Sequence, residues 1–208
     1  MSIEDAWAAF WKRYYAGRWE PETKRLLEDT LEPGDLFVDI GAWIGPVSLW
    51  ALACGAGVVA IEPDPIALVE LRRVVPDDVE IWPGALALRG GHIAIGPRPE
   101  YKGAPGQFGD SMTRVSEEGV SVPCWTIQEI LGPRKPKLAV MDVEGYELTL
   151  LPEVAPYLAS LGCVLQVALH TGLPAREWFK DFREVVMPET ARENGHPQGR
   201  SLAVVARP

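Results

Sequence analysis

Apolar and polar residues change rhythm along this chain in a way that sorts it into helices and buried strands. Over residues 1–31 the apolar positions recur at helical spacing. Ala6, Trp7, Phe10, Trp11 and Tyr14 share one face behind Ser2, a residue that can cap. A second short helix is predicted from Pro21 to Leu31, with Pro21 in the first turn, where no N–H donor is needed. After Glu32-Pro33-Gly34-Asp35 the pattern becomes one of continuous apolar runs. Leu36-Phe37-Val38-Asp39-Ile40, Val58-Val59-Ala60-Ile61, Val79 to Trp82, Leu138-Ala139-Val140-Met141-Asp142 and Cys163 to His170 read as buried strands. Helices are predicted from Pro46 to about Ala53, Pro65 to Val75, Thr126 to Leu131 and Tyr146 to Leu158, the last with a proline near its first turns as a candidate break. Glu184 to Met187 and Ser201 to Ala206 read as a closing antiparallel pair. Continuous apolar strands alternating with helices indicate an α/β fold whose parallel strands are covered on both faces. Residues 1–31 form a helical cap segment on a single globular unit, 32–208.

The stretch from Gly84 to Glu118 breaks this rhythm. It is rich in glycine and proline, holds only short strand candidates such as His92-Ile93-Ala94-Ile95, and reads as a long functional or mobile loop. There is no internal repeat and no low-complexity tract.

A length of 208 residues fits one domain with one core. Apolar runs are interrupted well before the ~18 residues a membrane span needs, so no membrane association is expected. The N-terminus places acidic residues before basic ones, the reverse of a secretory signal, and a cytoplasmic location is expected. A net charge of −9 disfavours general nucleic-acid binding. Cys54, Cys124 and Cys163 are scattered among apolar neighbours and read as buried small hydrophobes. Trp7, Trp11 and Trp19 read as core or lid contacts, and Trp82 and Trp125 flank strand ends. Nothing in the sequence sets an oligomeric state.

Four segments carry candidate chemistry. Val38-Asp39-Ile40-Gly41-Ala42-Trp43-Ile44-Gly45 joins a strand to a helix, as a nucleotide-binding turn does. Gly41 and Gly45 permit a tight turn and close approach of a ligand to backbone. The spacing is G-x-x-x-G rather than G-x-G-x-x-G, so a cofactor without phosphates fits better than a dinucleotide. The bland alternative is a tight turn that binds nothing. In Ile61-Glu62-Pro63-Asp64, Glu62 lies about twenty residues later, at the end of the second strand, where a carboxylate can accept from ribose hydroxyls. Asp64 reads as the N-cap of the helix that follows. Met141-Asp142-Val143-Glu144-Gly145-Tyr146-Glu147 places Asp142 and Glu144 at the carboxyl end of a buried strand, where open α/β sheets hold ligands. These two acids can orient substrate, accept a proton or hold a cation. Equally, Asp142 can be a satisfied strand-end acid and Glu144 a helix cap. His170, at the same sheet edge, can act as a base near neutral pH or be structural. No spacing rule requires a metal.

Taken together, Leu31 to Gly45, Val59 to Pro65 and Met141 to Glu147 resemble, in order and spacing, the FkbM family of methyltransferases. The Thr126-Ile-Gln-Glu-Ile-Leu helix and His170 fit the same pattern, which covers about Glu32 to His170. The resemblance implies a Rossmann-like class I methyltransferase fold: a three-layer sandwich around a mostly parallel seven-stranded sheet with an antiparallel last strand. It implies S-adenosylmethionine as cofactor and a hydroxyl of a small molecule or glycan as methyl acceptor. Asp39, Gly41, Ala42, Trp43 and Gly45 would line the methionine and ribose side. Glu62 and Pro63 would hold the ribose, and Ala85 would lie at the adenine. Gly109-Asp110-Ser111-Met112 looks like the family's serine-containing loop, with Ser111 near the cofactor. Asp142 would border the cofactor as well as serve catalysis with Glu144 and His170.

Three positions depart from the family pattern. Trp43 stands where Asn is common, Val140 where Lys is common and Ala168 where Glu is common. The ring of Trp43 would narrow the pocket or stack on substrate, and the other two changes remove an ion pair. They motivate an alternative: an altered or inactive protein that binds S-adenosylmethionine and serves as a partner subunit. A nicotinamide dehydrogenase is disfavoured by the missing glycine pattern. A nucleic-acid base methyltransferase is disfavoured by the acidic charge and the lack of an Asn-Pro-Pro-aromatic segment.

Overall fold

A computed structural model describes residues 2–98, 106–170, 174–186 and 202–208. The chain opens with helices α1 (Ile3–Tyr15) and α2 (Pro21–Thr30). Ser2 caps α1 in a reciprocal capping box with Asp5. Strand β1 (Leu36–Ile40), helix α3 (Pro46–Ala53), strand β2 (Gly57–Ile61), helix α4 (Pro65–Val74) and strand β3 (Glu80–Trp82) follow in right order for a parallel sheet. After the segment 84–125 come helix α5 (Ile127–Leu131), a strand at Leu138–Met141, a helix at Glu147–Ser160, a strand at Val164–Leu169 and a 3₁₀ turn at Arg176–Phe179. Strands at Glu184–Val186 and Leu202–Arg207 complete the chain.

Numbered in chain order with the four short strands of the 84–125 segment, these later strands are β8 (Leu138–Met141), β9 (Val164–Leu169), β10 (Glu184–Val186) and β11 (Leu202–Arg207), and the long helix is α6 (Glu147–Ser160). The main sheet has seven strands in the order β10-β11-β9-β8-β1-β2-β3. Neighbours from β9 to β3 are parallel, and β11 runs antiparallel to both β9 and β10. This is the class I methyltransferase arrangement. Of the closing pair, Met187 and Ser201 lie outside the described residues.

Period-two alternation assigns each strand residue to a layer. Phe37, Leu138, Val140 and Val164 pack with α1–α4 around Trp7, Phe10, Leu27, Ile44 and Trp50. Val38, Ile40, Met141, Leu165 and Val167 pack with α5 and α6 around Ile127, Leu150, Leu158 and Phe179. By the same alternation Asp39, Gln166 and Ala168 face the α1–α4 side. The cap helices thus share one core with the first α/β units. Tyr14 stacks on Trp50 at 4.9 Å, and Phe10 meets Trp43 edge-on at 4.6 Å.

Two expectations need correction. Helix α6 runs undivided through Pro152 and Pro156, because its face of Leu150, Leu151, Val154, Ala155 and Leu158 is buried against the sheet. That packing outweighs the missing N–H donors. The stretch from Gly84 to Glu118 is not simply a long loop. It supplies β4 (Ala85–Leu86), β5 (Gly91–Gly96) and β6 (Arg114–Val115), which join β7 (Val120–Trp125) in a second sheet of order β4-β7-β5-β6. Strands two residues long among glycines and prolines leave no periodicity to read. Trp82 and Trp125, ring centroids 5.0 Å apart, connect the two sheets. Elsewhere element ends differ from expectation by a residue or two. Among the described residues no helix is long and apolar enough to cross a membrane.

Candidate active site

The turn after β1 is built from backbone. The amides of Gly41 and Ala42 both donate to the Ile61 carbonyl, at 2.9 and 3.0 Å. Gly41 has φ of +88°, and a Cβ there would lie 1.8 Å from the carbonyl oxygen of Asp142. Only glycine lets the first turn pass under the Asp142 backbone. Trp43 also sits at positive φ, +48°. Asn tolerates that region better than an indole, which gives a backbone reason for the family's common residue. The Trp43 ring is held by Phe10 and by a hydrogen bond from its Nε1 to the Gly109 carbonyl at 2.9 Å.

Glu62 closes this wall. Its Oε2 accepts from the Trp43 amide and its Oε1 from the Asp64 amide, both at 2.7 Å. Burial pushes its pKa up to about 8 against the pull of those two donors. Asp39 is buried too, accepts from Ser48 Oγ at 2.6 Å, and is pushed by burial to about 7.

Asp64 does more than cap α4. Its Oδ1 accepts from the amides of Ile66 and Ala67, while its Oδ2 accepts from the Gly109 amide at 2.6 Å and from the Thr113 hydroxyl. Trp7 Nε1 and Trp43 Nε1 both donate to the Gly109 carbonyl. One residue of the 106–113 segment, Gly109, is therefore pinned through both its N–H and its carbonyl, which fixes Asp110, Ser111 and Met112 over the site.

The opposite wall carries Asp142, Glu144, Glu147 and His170. His170 Nδ1 lies 2.9 Å from Glu147 Oε1, and its Nε2 lies 3.5 Å from both Asp142 Oδ1 and Glu144 Oε1. Glu147 is fully buried, and its Oε1 also accepts from the amides of Val143 and Gly145. Burial works to lower the pKa of His170, but the Glu147 hydrogen bond and the charges of Asp142, Glu144 and Glu147 outweigh it and push it up to about 9. Burial raises Asp142 and takes Glu144 up to about 8, with His170 opposing the rise in both. One ligand atom from each of Asp142, Glu144 and His170 lies within 4.8 Å of the others, a spacing that a divalent cation can bridge.

A single cavity of about 950 Å³ connects the two walls. Asp39, Gly41, Ala42, Trp43, Glu62 and Pro63 border it on one side. Asp142, Glu144 and His170 border it on the other, with Ala85 and Ser111 between. Gly45 does not border it. At φ of +89° Gly45 starts α3, and a Cβ would press on Leu71 and Val74 of α4 and on Val75 at its end, so glycine lets the two helices pack here.

The departures Val140 and Ala168 both border the cavity, as do Glu20 and Gln166. Sequence reasoning passed over Glu20, Gln166 and Glu147. Gln166 had a readable signal, a lone amide inside an apolar strand. Glu147 had a weaker one, an acid in the first turn after Gly145. Glu20 had none.

Comparison with known proteins agrees with this geometry. The family model for the methyltransferase FkbM domain matches residues 39–186. A hexuronic acid methyltransferase, AglP of Haloferax volcanii, is 29% identical over 197 residues, covering 88% of this chain and 74% of that protein. The methyltransferase FkbM of Methylobacillus flagellatus superimposes with a TM-score of 0.56 at 14% identity, covering 88% of this chain; the chain spans 50% of that structure. A TehB-like SAM-dependent methyltransferase of Corynebacterium glutamicum gives 0.53 at 14% identity, covering 98% and 95%. These two likenesses show the fold, and the family match over most of the chain shows more: this protein belongs to the FkbM methyltransferase family and is a methyltransferase.

Proposed function

We propose that this enzyme transfers a methyl group from S-adenosylmethionine to a hydroxyl oxygen of a small molecule or sugar. The observation that carries this reading is the one cavity joining the Gly41–Glu62 wall to the Asp142–His170 wall. Its volume suits a cofactor together with an acceptor.

The residues present fit the cofactor. The acids Asp39, Glu62, Asp142 and Glu144 border the cavity, and withdrawal from water raises the pKa of each. A cavity lined by several acids suits a ligand bearing positive charge. Each carboxylate oxygen of Glu62 carries one backbone donor, which leaves lone pairs for the ribose hydroxyls. Asp39, Gly41 and Ala42 would border the methionine portion, Ala85 the adenine, and Trp43, Pro63 and Ser111 the rim. When bound, the cofactor supplies a methyl carbon already activated by its sulfonium.

The chain's own residues then position the acceptor and take its proton. The Glu147 hydrogen bond and the neighbouring carboxylates push His170 up to about 9, which favours the imidazolium and gives the part of base to Asp142. Asp142 Oδ1, buried and without a hydrogen-bond partner, takes the proton as the hydroxyl becomes acidic. His170 Nε2 faces that oxygen and steadies its charge, and Glu147 holds the imidazole by Nδ1. The hexuronic acid named for the Haloferax relative supports a sugar acceptor.

Calorimetry of the purified protein with S-adenosylmethionine and S-adenosylhomocysteine tests the reading, followed by methyl transfer to free hexuronic acids. Binding of both cofactor forms is expected. Absence of binding overturns it. Binding without turnover on any hydroxylated acceptor favours the partner-subunit alternative.

A further inference from the structure

We propose that Glu20, Thr23 and Gln166 form a subsite that holds a second hydroxyl of the methyl acceptor, so that the acceptor is a polyol of the sugar kind rather than a mono-alcohol or a simple phenol. This rests on the methyl-transfer reading above.

Gln166 sits in the middle of β9, opposite Val140 on one side and Val205 on the other. It shares a sheet face with Ala168 and His170, and all three border the cavity. Gln166 is only 6% exposed. Its Nε2 donates to Thr23 Oγ1 at 2.8 Å, and the Thr23 hydroxyl donates onward to Glu20 Oε2 at 3.1 Å. That relay fixes which way round the amide lies. A hydroxyl has one proton, here committed to Glu20, so Thr23 accepts from Gln166 and the group it faces must be the NH₂. Gln166 Oε1 is therefore an oriented acceptor, buried, at the cavity wall and without a partner. Buried acceptors are rarely left so, and one at a ligand cavity points to a donor on the ligand.

Glu20 adds a second observation. It has φ of +37°, a region costly for a side chain of its kind, and it stands at the N-cap of α2 without making a cap hydrogen bond. Its carboxylate turns instead to Thr23 and the cavity, within electrostatic range of Asp142 and His170. The subsite thus lies beside the proposed base. Val140 and Ala168, both small and apolar, border the same part of the cavity. Gln166 Oε1 presents an acceptor, and Glu20, which burial pushes up to about 7, can accept or share a proton, a pairing that calls for a hydroxyl. The reacting hydroxyl goes to Asp142, so the ligand needs at least one more.

The test uses the full chain saturated with S-adenosylhomocysteine and titrated with D-glucuronic acid and D-glucose by ligand-observed NMR. At least one sugar is expected to bind the wild type. Gln166→Met and Glu20→Gln should weaken that binding about tenfold, each having lost one hydrogen bond to the ligand. Thr23→Val should do the same, and Thr23→Ser should restore what Thr23→Val loses, which mere packing would not. Thermal unfolding confirms that each variant is folded. Affinity for S-adenosylhomocysteine, measured separately, should not change. The subsite is overturned if neither sugar binds the loaded wild type, if folded Gln166→Met binds sugar as the wild type does, or if cofactor affinity falls in step with sugar affinity. The last result would give these residues to the cofactor's ammonium. Failure of the wild type to bind S-adenosylhomocysteine overturns the methyl-transfer reading and the subsite with it.

Discussion

The two walls of the cavity are built on different terms. The Gly41–Glu62 wall is tied into the backbone. The Gly41 and Ala42 amides share one carbonyl, and both Glu62 oxygens accept from main-chain donors. The opposite wall is assembled from side chains of three separate stretches, Glu20, Asp142 with Glu144, and Gln166 to His170, backed by Thr23 and Glu147. The three buried side-chain oxygens without a hydrogen-bond partner among the described residues, on Asp142, Glu147 and Gln166, belong to this wall and its backing. A wall with satisfied groups is suited to hold a constant ligand in one pose. A wall with unmet acceptors and shared protons is suited to move a proton and to read a hydroxyl.

Substitutions on the two walls should therefore separate chemistry from binding. Asp142→Asn removes the proposed base and should lower the methyl-transfer rate by ~10²–10⁴, with S-adenosylhomocysteine affinity retained. Equal losses of rate and affinity would erase the distinction between the walls. Glu62→Ala strands two backbone donors and removes the proposed ribose partner. Cofactor affinity should fall about a hundredfold by calorimetry, together with a lower melting temperature. Glu147→Gln leaves the cofactor wall intact but loosens His170. Turnover should fall roughly tenfold, and the loss of rate at alkaline pH should move to lower pH, because His170 loses its strongest support. In the wild type that loss should come as pH rises through about 9, where His170 gives up the proton that steadies Asp142. A flat profile there would remove the cluster from the mechanism.

The smallest expected effect is on stability. Asp39, Glu62, Glu144 and His170 all have folded pKa values raised above their ordinary ones. For such groups the folded state binds more protons, so their contribution is full at low pH and is lost as pH rises through the folded values. For the carboxyls that window runs from about 4 to about 8, and for His170 from 6.5 to about 9. The ligand-free protein should melt at progressively lower temperature from pH 5 to pH 9. Glu62→Gln should flatten part of the slope. Glu70 beside Arg73 and Glu80 beside Arg134 shift the opposite way, but with Arg73, Glu80 and Arg134 open to solvent their weight is slight.

The sequence by itself determined the elements that local chemistry controls. Continuous apolar runs marked the strands of the main sheet, helix signals at Pro21, Pro46 and Pro65 marked starts, and Gly41 with Glu62 marked the tight turn of the candidate site. Each of these depends on residues near one another in the chain, or on the simple demand that a buried strand be apolar. Asp142, Glu144 and His170 were legible as strand-end residues, because open α/β sheets expose that edge. The tertiary structure decided the rest. It turned the glycine-rich 84–118 stretch into a sheet, set Gly45 against α4, and surrounded His170 with Asp142, Glu144 and Glu147. It also brought Glu20 of the cap helices to Gln166 of β9, a meeting fixed only when α2 packs on the sheet face that Gln166 shares with His170. Register and packing between distant segments set these contacts, and no local pattern encodes where two such side chains will meet.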